Sequence, residues 1–130
     1  VFITSYGQMT RSKIVKKLDS VFSLYIRNRF AKNGKAKCFT CCKVDDVTRL
    51  HAGHFMSRKH YATRWDEVNV QVQCPKCNLF GQGEQFTFGL NLDKKYGEGT
   101  AEKLQQKARG LVKLSNDDLN EMILKYKQYA

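Results

Sequence analysis

Apolar residues in the first third of the chain recur at helical spacing. Ile14, Leu18, Val21, Phe22 and Tyr25 follow a three-to-four period, which predicts an amphipathic helix over residues 11–32. Asn33-Gly34 supplies its stop. The pattern then shortens. Residues 44–50 predict a short strand leading to His51. Val68, Val70 and Val72 alternate with Asn69, Gln71 and Gln73, the period of a second strand. Between the two, residues 55–66 show neither period and read as an irregular loop. Helical spacing returns near the end. Residues 90–96 predict a short helix ended by Gly97-Glu98-Gly99. Thr100 then caps a helix bearing Leu104, Ala108 and Leu111, and Ser115 caps one bearing Leu119, Ile123 and Tyr126. These last two are expected to form an αα-hairpin. Phe80, Phe86 and Phe88 lie among three glycines and read as core or interface, with base stacking as the sharper alternative. Residues 1–10 have no clear period, and a chain opening at Val1 reads as a trimmed piece of a longer protein.

Cysteine spacing adds what periodicity cannot. Cys38-x-x-Cys41 and Cys74-x-x-Cys77 are two knuckles, each able to aim two thiolates at one point. Four thiolates complete a tetrahedral Zn²⁺ and leave no position open for chemistry, so one structural zinc per chain is expected. A redox dithiol wants one such motif beside a βαβ unit, and that pattern is missing. Disulfides need export, and no signal peptide is visible. Five cysteines leave one over, which suits a reducing cytoplasm. Cys42 is the spare, or it replaces Cys41 as ligand in a C-x₃-C register.

Charge is lopsided. Residues 1–64 hold 14 Lys/Arg against 3 Asp/Glu, and residues 65–130 hold 9 of each. A merely solvated face does not predict that asymmetry, whereas a polyanion partner does, and nucleic acid is the usual one. On the first helix, Lys13, Lys16, Lys17 and Arg27 are candidate phosphate contacts. No apolar run reaches the length of a membrane span, so no membrane partner is expected. At 130 residues the chain is expected to form a single domain: a basic helix (11–33), a zinc-bearing core (37–80) and a helical C-terminal part (84–130).

The three histidines, His51, His54 and His60, all lie between the knuckles. The order His54, Asn69, Cys74-x-x-Cys77-Asn78, after a first C-x-x-C, resembles the zinc-bearing HNH or ββα-metal (His-Me finger) nucleases. It is similar to the endonuclease VII type. A closer resemblance is to the lambda NinG (Rap) family of recombination endonucleases. It is carried by K-L-D-S-V-F-S-L-Y-I-R, K-C-F-T-C, A-G-H-F-M-S-R-K-H-Y-A-T-R-W-D-E-V-N-V, Q-C-P-K-C-N and G-L-N-L-D-K-K-Y-G-E-G-T-A-E, roughly residues 17–107.

The resemblance implies an α+β fold, a small zinc-stabilised ββα-metal core with a basic N-terminal helix and a C-terminal helical hairpin. It implies a DNA endonuclease acting on branched DNA such as Holliday junctions and D-loops, phage-encoded and working in the bacterial cytoplasm. A homodimer with one site per strand fits the two-fold character of junctions. No small-molecule cofactor is implied. His54 takes the place of the general base, and an imidazole near its ordinary pKa of about 6.5 suits that work. Asn78 takes the place of a ligand to a catalytic Mg²⁺ or Mn²⁺, through its carbonyl oxygen. Asn69 braces the loop that holds His54. Endonuclease VII-like sites carry an acidic ligand directly before the base, and here that position is Gly53. His51 is the candidate replacement ligand, which favours Mn²⁺ or another borderline metal, or else it sits at the surface in a supporting role. Arg58, Lys59 and Arg64 are expected to meet phosphates, with His60 either in the site or on their basic loop. Two rival readings are a non-catalytic zinc-ribbon nucleic-acid-binding module and an HNH nuclease without junction preference.

Overall fold

A computed structural model describes residues 9–129, so the N-terminal reading falls outside the description up to residue 8. Within it, helix α1 (Arg11–Asn28) is followed by strands β1 (Lys35–Lys37) and β2 (Val44–Asp46), then β3 (His51–His54). Helix α2 (Tyr61–Arg64) and strand β4 (Val70–Gln73) come next, then α3 (Gln85–Tyr96), α4 (Thr100–Ala108) and α5 (Asn116–Lys127). The sheets are two antiparallel pairs, β1 with β2 and β3 with β4. The result is α+β, as the resemblance implies. Among the described residues no helix is long and apolar enough to cross a membrane.

The chain divides into two compact units. Among the described residues, one comprises residues 9–25 with 113–129, and the other residues 26–112. In the first, Ile14, Leu18 and Phe22 are buried, as are Leu119, Ile123 and Tyr126 of α5. Phe22 meets Tyr126 edge-on at 4.8 Å between ring centroids. Ser115 caps α5 through a full capping box with Asp118. The expected α4–α5 hairpin is therefore corrected. Helix α5 packs with α1, while Leu104 of α4 joins Phe55, Phe88 and Leu92 in the second unit.

Local chemistry explains the other differences. Helix α1 ends at Asn28 rather than Lys32. Asn33 and Gly34 both have positive φ and turn the chain so that Lys32 pairs with Lys35. The first predicted strand stops at Asp46 because its carboxylate accepts from the Thr48 amide at 2.9 Å and starts a 3₁₀ turn, Val47–Arg49. Thr100 is the first residue of α4 rather than its cap. Gly99, at φ +90°, occupies the cap and the Thr100 hydroxyl donates back to Gly97 O. Helix α3 begins at Gln85, five residues earlier than its pattern predicts. Gly89 within it lies against the Phe55 ring, 3.3 Å from where a Cβ would stand.

Strand β4 is the least ordinary element. Every residue in it is buried, polar and apolar alike. Its valines face the core. The amides on the other face are met by protein groups: Gln71 Nε2 donates to Val68 O and to the Tyr96 hydroxyl, and Gln73 Nε2 to Gly83 O and Thr40 Oγ1. Such partners offset most of the cost of burying polar groups.

Candidate functional site

Each knuckle is built by a backbone device. In the first, Cys38 N donates to Lys43 O at 2.8 Å and Cys42 N to Cys38 O at 3.0 Å. The reversal needs left-handed backbone, and Cys42 supplies it at φ +68°. Phe39 N donates to Val72 O at 2.8 Å, which ties this knuckle to β4. The second knuckle starts where β4 ends. Pro75 has φ −56°, suited to opening a helical turn, and Asn78 N donates to Cys74 O at 3.0 Å. A π-helical turn, Lys76–Phe80, follows.

The Sγ atoms of Cys38, Cys41, Cys74 and Cys77 all lie within 4.8 Å of one another, and Cys41 and Cys74 are 3.7 Å apart. A tetrahedral zinc with bonds of about 2.3 Å needs an edge of about 3.8 Å. The four cysteines are thus positioned to bind a metal ion, and the set fits structural zinc. Cys41 belongs to the cluster and Cys42 serves the turn. Cys38, Cys74 and Cys77 are buried with Ala36, Leu50 and Val72, so the clamp also forms part of an apolar core.

The thiols are spread widely in acidity. Burial alone would raise Cys38, but the Thr40 hydroxyl and the amides of Cys74, Cys41 and Thr40 outweigh it and lower the group to about 6. Burial raises Cys77 to about 12, with the negative charge of Cys38 adding to it. Cys41 is raised despite the amide of Lys43, by burial and by the thiols of Cys38 and Cys74. Without a cation one thiolate forms easily and its neighbours resist, so a bound cation must displace protons.

Strand β3 carries two of the three histidines. His51 pairs with Gln73 and His54 with Val70 across the ladder. An odd separation sends their side chains to opposite faces of the strand. On one side, the second knuckle brings Asn78 to His51, with Asn78 Nδ2 3.0 Å from His51 Nδ1. On the other, His54 Nε2 lies 3.0 Å from the carbonyl of Arg64. A carbonyl only accepts, so His54 donates from Nε2 and its lone pair sits on Nδ1. Both histidines and Asn78 are half-buried.

Asn69 is fully buried and closes the segment between β3 and β4. Its Oδ1 accepts from Met56 N at 2.7 Å, and its Nδ2 donates to Met56 O at 3.1 Å and Thr63 O at 3.0 Å. Asp66 supports it. The Asp66 Oδ1 accepts from Val68 N at 2.8 Å and Asn69 N at 3.1 Å, and Oδ2 pairs with Lys107 of α4. Burial opposes ionisation of Asp66, but the Lys107 ammonium and the two amides prevail and hold its pKa below the usual carboxylate range.

The cations expected to meet phosphate are dispersed. Arg58 and Lys59 are exposed and His60 is half-buried on the same loop. Arg64 Nη1 donates to Arg58 O, and its guanidinium lies 5.3 Å from the Trp65 ring centroid, with Trp65 itself buried. Arg27 donates to Val47 O at 3.2 Å. Lys13, Lys16 and Lys17 lie on the part of α1 that belongs to the other unit.

Sequence reasoning missed Gln73, Asp66 and Lys107. Gln73 Oε1 is buried without a hydrogen-bond partner and lies 1.9 Å from where a Cβ on Gly53 would stand. Any side chain at residue 53, acidic or otherwise, would have to displace the Gln73 amide. The available signal was the run Asn69, Gln71, Gln73: a solvent face normally includes charges, and three amides without one mark a buried polar face.

A four-cysteine metal clamp on a small α+β frame is the class of protein that this geometry defines. Comparison with family models matches residues 8–130 to the family described as Bacteriophage Lambda NinG protein. The match spans nearly the whole chain, and the chain belongs to the NinG family. Neither the curated proteins nor the solved structures give a match.

Proposed function

We propose that this protein is an HNH-type, metal-dependent DNA endonuclease. Its proposed substrate is branched DNA such as Holliday junctions and D-loops, cut during phage recombination in the cytoplasm of the bacterial host. The observation that carries the reading is the contact of Asn78 with His51, three residues before His54 on the same strand. The His51–Asn78 pair sits on one face, His54 with its lone pair on Nδ1 on the other, and the cysteine clamp anchors the turn that delivers Asn78.

In this reading His54 Nδ1 accepts a proton from water as the oxygen attacks phosphorus. One P–O ester bond breaks, giving a phosphomonoester and a hydroxyl, and the departing oxygen takes its proton from solvent. The Arg64 carbonyl stabilises the imidazolium formed, because it accepts from the opposite ring nitrogen. Arg58, Lys59 and Arg64 hold the flanking phosphates. His51 and Asn78 would hold a divalent cation, Mg²⁺ or Mn²⁺, once the carboxamide turns its oxygen inward. Such a cation stabilises charge on the leaving oxygen. The amide and imidazole nitrogens, 3.0 Å apart, are close enough to share one ion. A homodimer would address two strands of a junction.

The test is a nicking assay on four-way junction and linear duplex with Mg²⁺ or Mn²⁺. The parent protein cuts the junction in preference, and His54→Ala does not. A parent that cuts neither substrate with any divalent cation returns the protein to a zinc-bearing DNA-binding module. Equal cutting of both substrates removes the junction preference alone.

A further inference from the structure

Apart from the β3 site, the second unit holds a cleft of about 220 Å³. It lies between the end of α1, the first knuckle and α3. Its lining includes Arg27, Phe30, Lys37, Phe39 and Lys95, and no carboxylate. Neither Lys37 nor Lys95 has a carboxylate partner among the described residues. Phe30 is 54% exposed, unusual for a phenyl ring held in a fixed place. Arg29 stands against it. Its guanidinium lies 4.8 Å from the ring centroid and is itself tied to Glu67 O, Val70 O and Gln71 Oε1 at 2.8, 2.9 and 3.2 Å. The exposed Lys95 ammonium lies 3.8 Å from the same centroid.

A fixed, open aromatic ring among cations, with no acid nearby, matches one kind of ligand: a flat π-face joined to negative charge. We propose that this cleft binds an unpaired nucleotide of a DNA strand, its base stacked on Phe30 and its phosphates met by Lys37 and Lys95. The inference deepens the branched-DNA reading above and rests on it for the identity of the polymer. A stacking base displaces Lys95 from the ring. The exchange is favourable, since stacking on an aromatic outweighs a water-exposed cation–π contact and the freed ammonium gains a phosphate. Base pairs in intact duplex cannot present a face to Phe30, whereas the unpaired ends and openings of branched DNA can. The cleft would therefore contribute to choosing branched over linear substrate.

The experiment measures binding without cutting, in a His54→Ala background, by fluorescence anisotropy. The probes are a short oligothymidylate, an abasic strand of equal length and a blunt duplex. Phe30→Ala is expected to weaken the oligothymidylate about tenfold and leave the abasic strand and the duplex unchanged, and Phe30→Trp to restore the loss. Lys95→Ala should weaken the two single strands alike and lower their salt dependence. Equal loss on oligothymidylate and abasic strand after Phe30→Ala, or no loss on either, overturns the proposal. Nicking by the otherwise unaltered protein is scored separately. A chain that never cuts but shows the Phe30 pattern loses the nuclease reading and keeps the cleft. One that cuts but lacks the pattern does the reverse.

Discussion

Asn78 Nδ2 lies 3.0 Å from Nδ1 of His51, 27 positions earlier in the chain. The contact joins strand β3 to the turn after the second cysteine knuckle. A half-turn of the Asn78 amide would swap nitrogen for oxygen at this separation, which is what the proposed ion site requires.

The two β3 histidines should fail differently. On the proposed nuclease reading, His54→Ala removes the proton acceptor and should lower nicking by about 10²–10⁴-fold at every metal concentration. His51→Ala should lose activity that excess Mn²⁺ partly restores. His51→Asp should move the preference from Mn²⁺ toward Mg²⁺, since a carboxylate is the harder ligand. Metal titrations of the nicking rate separate these outcomes.

Native metal analysis should return one Zn²⁺ per chain. Cys41→Ser or Cys77→Ser should lose it with the fold around residues 38–80, while Cys42→Ser keeps it. Zinc binding should weaken as pH falls, because protons compete for the thiolates. Cys77, near 12 in the absence of an ion, gives up its proton only when the cation arrives. Proton release on zinc titration, read with a pH indicator, checks this.

Asp66 makes a stability prediction with a defined sign. Its folded pKa lies below the unfolded value, near 3.9. Its contribution is therefore complete above that unfolded value and is lost as pH falls through the folded one. Asp66→Ala leaves the amides of Val68 and Asn69 without their acceptor and should cost about 1–3 kcal/mol near neutral pH. Denaturant melts at several pH values should show the acid-side slope flattening in the variant.

Asn69→Ala opens the same segment at its centre. It strands the amide and carbonyl of Met56 and the carbonyl of Thr63, and should cost about 3 kcal/mol. Asn69→Asp keeps the size but turns a donor toward two carbonyls into an acceptor. It should be no better, by the same melts.

Gly53 and Gln73 should be energetically coupled. Gly53→Ala alone drives a methyl into the Gln73 amide and should destabilise by about 1–3 kcal/mol. In a Gln73→Ala background the same change should cost less. A double-mutant cycle showing simple additivity would refute the contact.

Much of this was legible in the residues. The cysteine spacing announced the clamp, since metal geometry tolerates few arrangements of two short turns. The valine alternation announced β4. Three things were hidden for physical reasons. Whether Cys41 or Cys42 joins the cluster depends on which of them takes the left-handed backbone, and that is decided by the closing bond from Cys38 N to Lys43 O. The start of α3 was masked by Gly89, which looks like a breaker and is instead a place where two elements touch. The pairing of Asp66 with Lys107 spans 41 residues, and no local pattern encodes it.

The wide turn over Lys76–Phe80 has a further consequence. Its closing bond runs from Gly81 N back to Lys76 O, five residues rather than four. A coil with one surplus residue is tolerant of length: deleting Leu79 would leave an ordinary helical turn, still able to fold and still carrying both thiolates. The ion would stay while the carboxamide swung out of reach of its imidazole. One-residue length variants at this spot would thus keep the cysteine cluster and lose the His51–Asn78 contact on which the proposed catalytic ion depends.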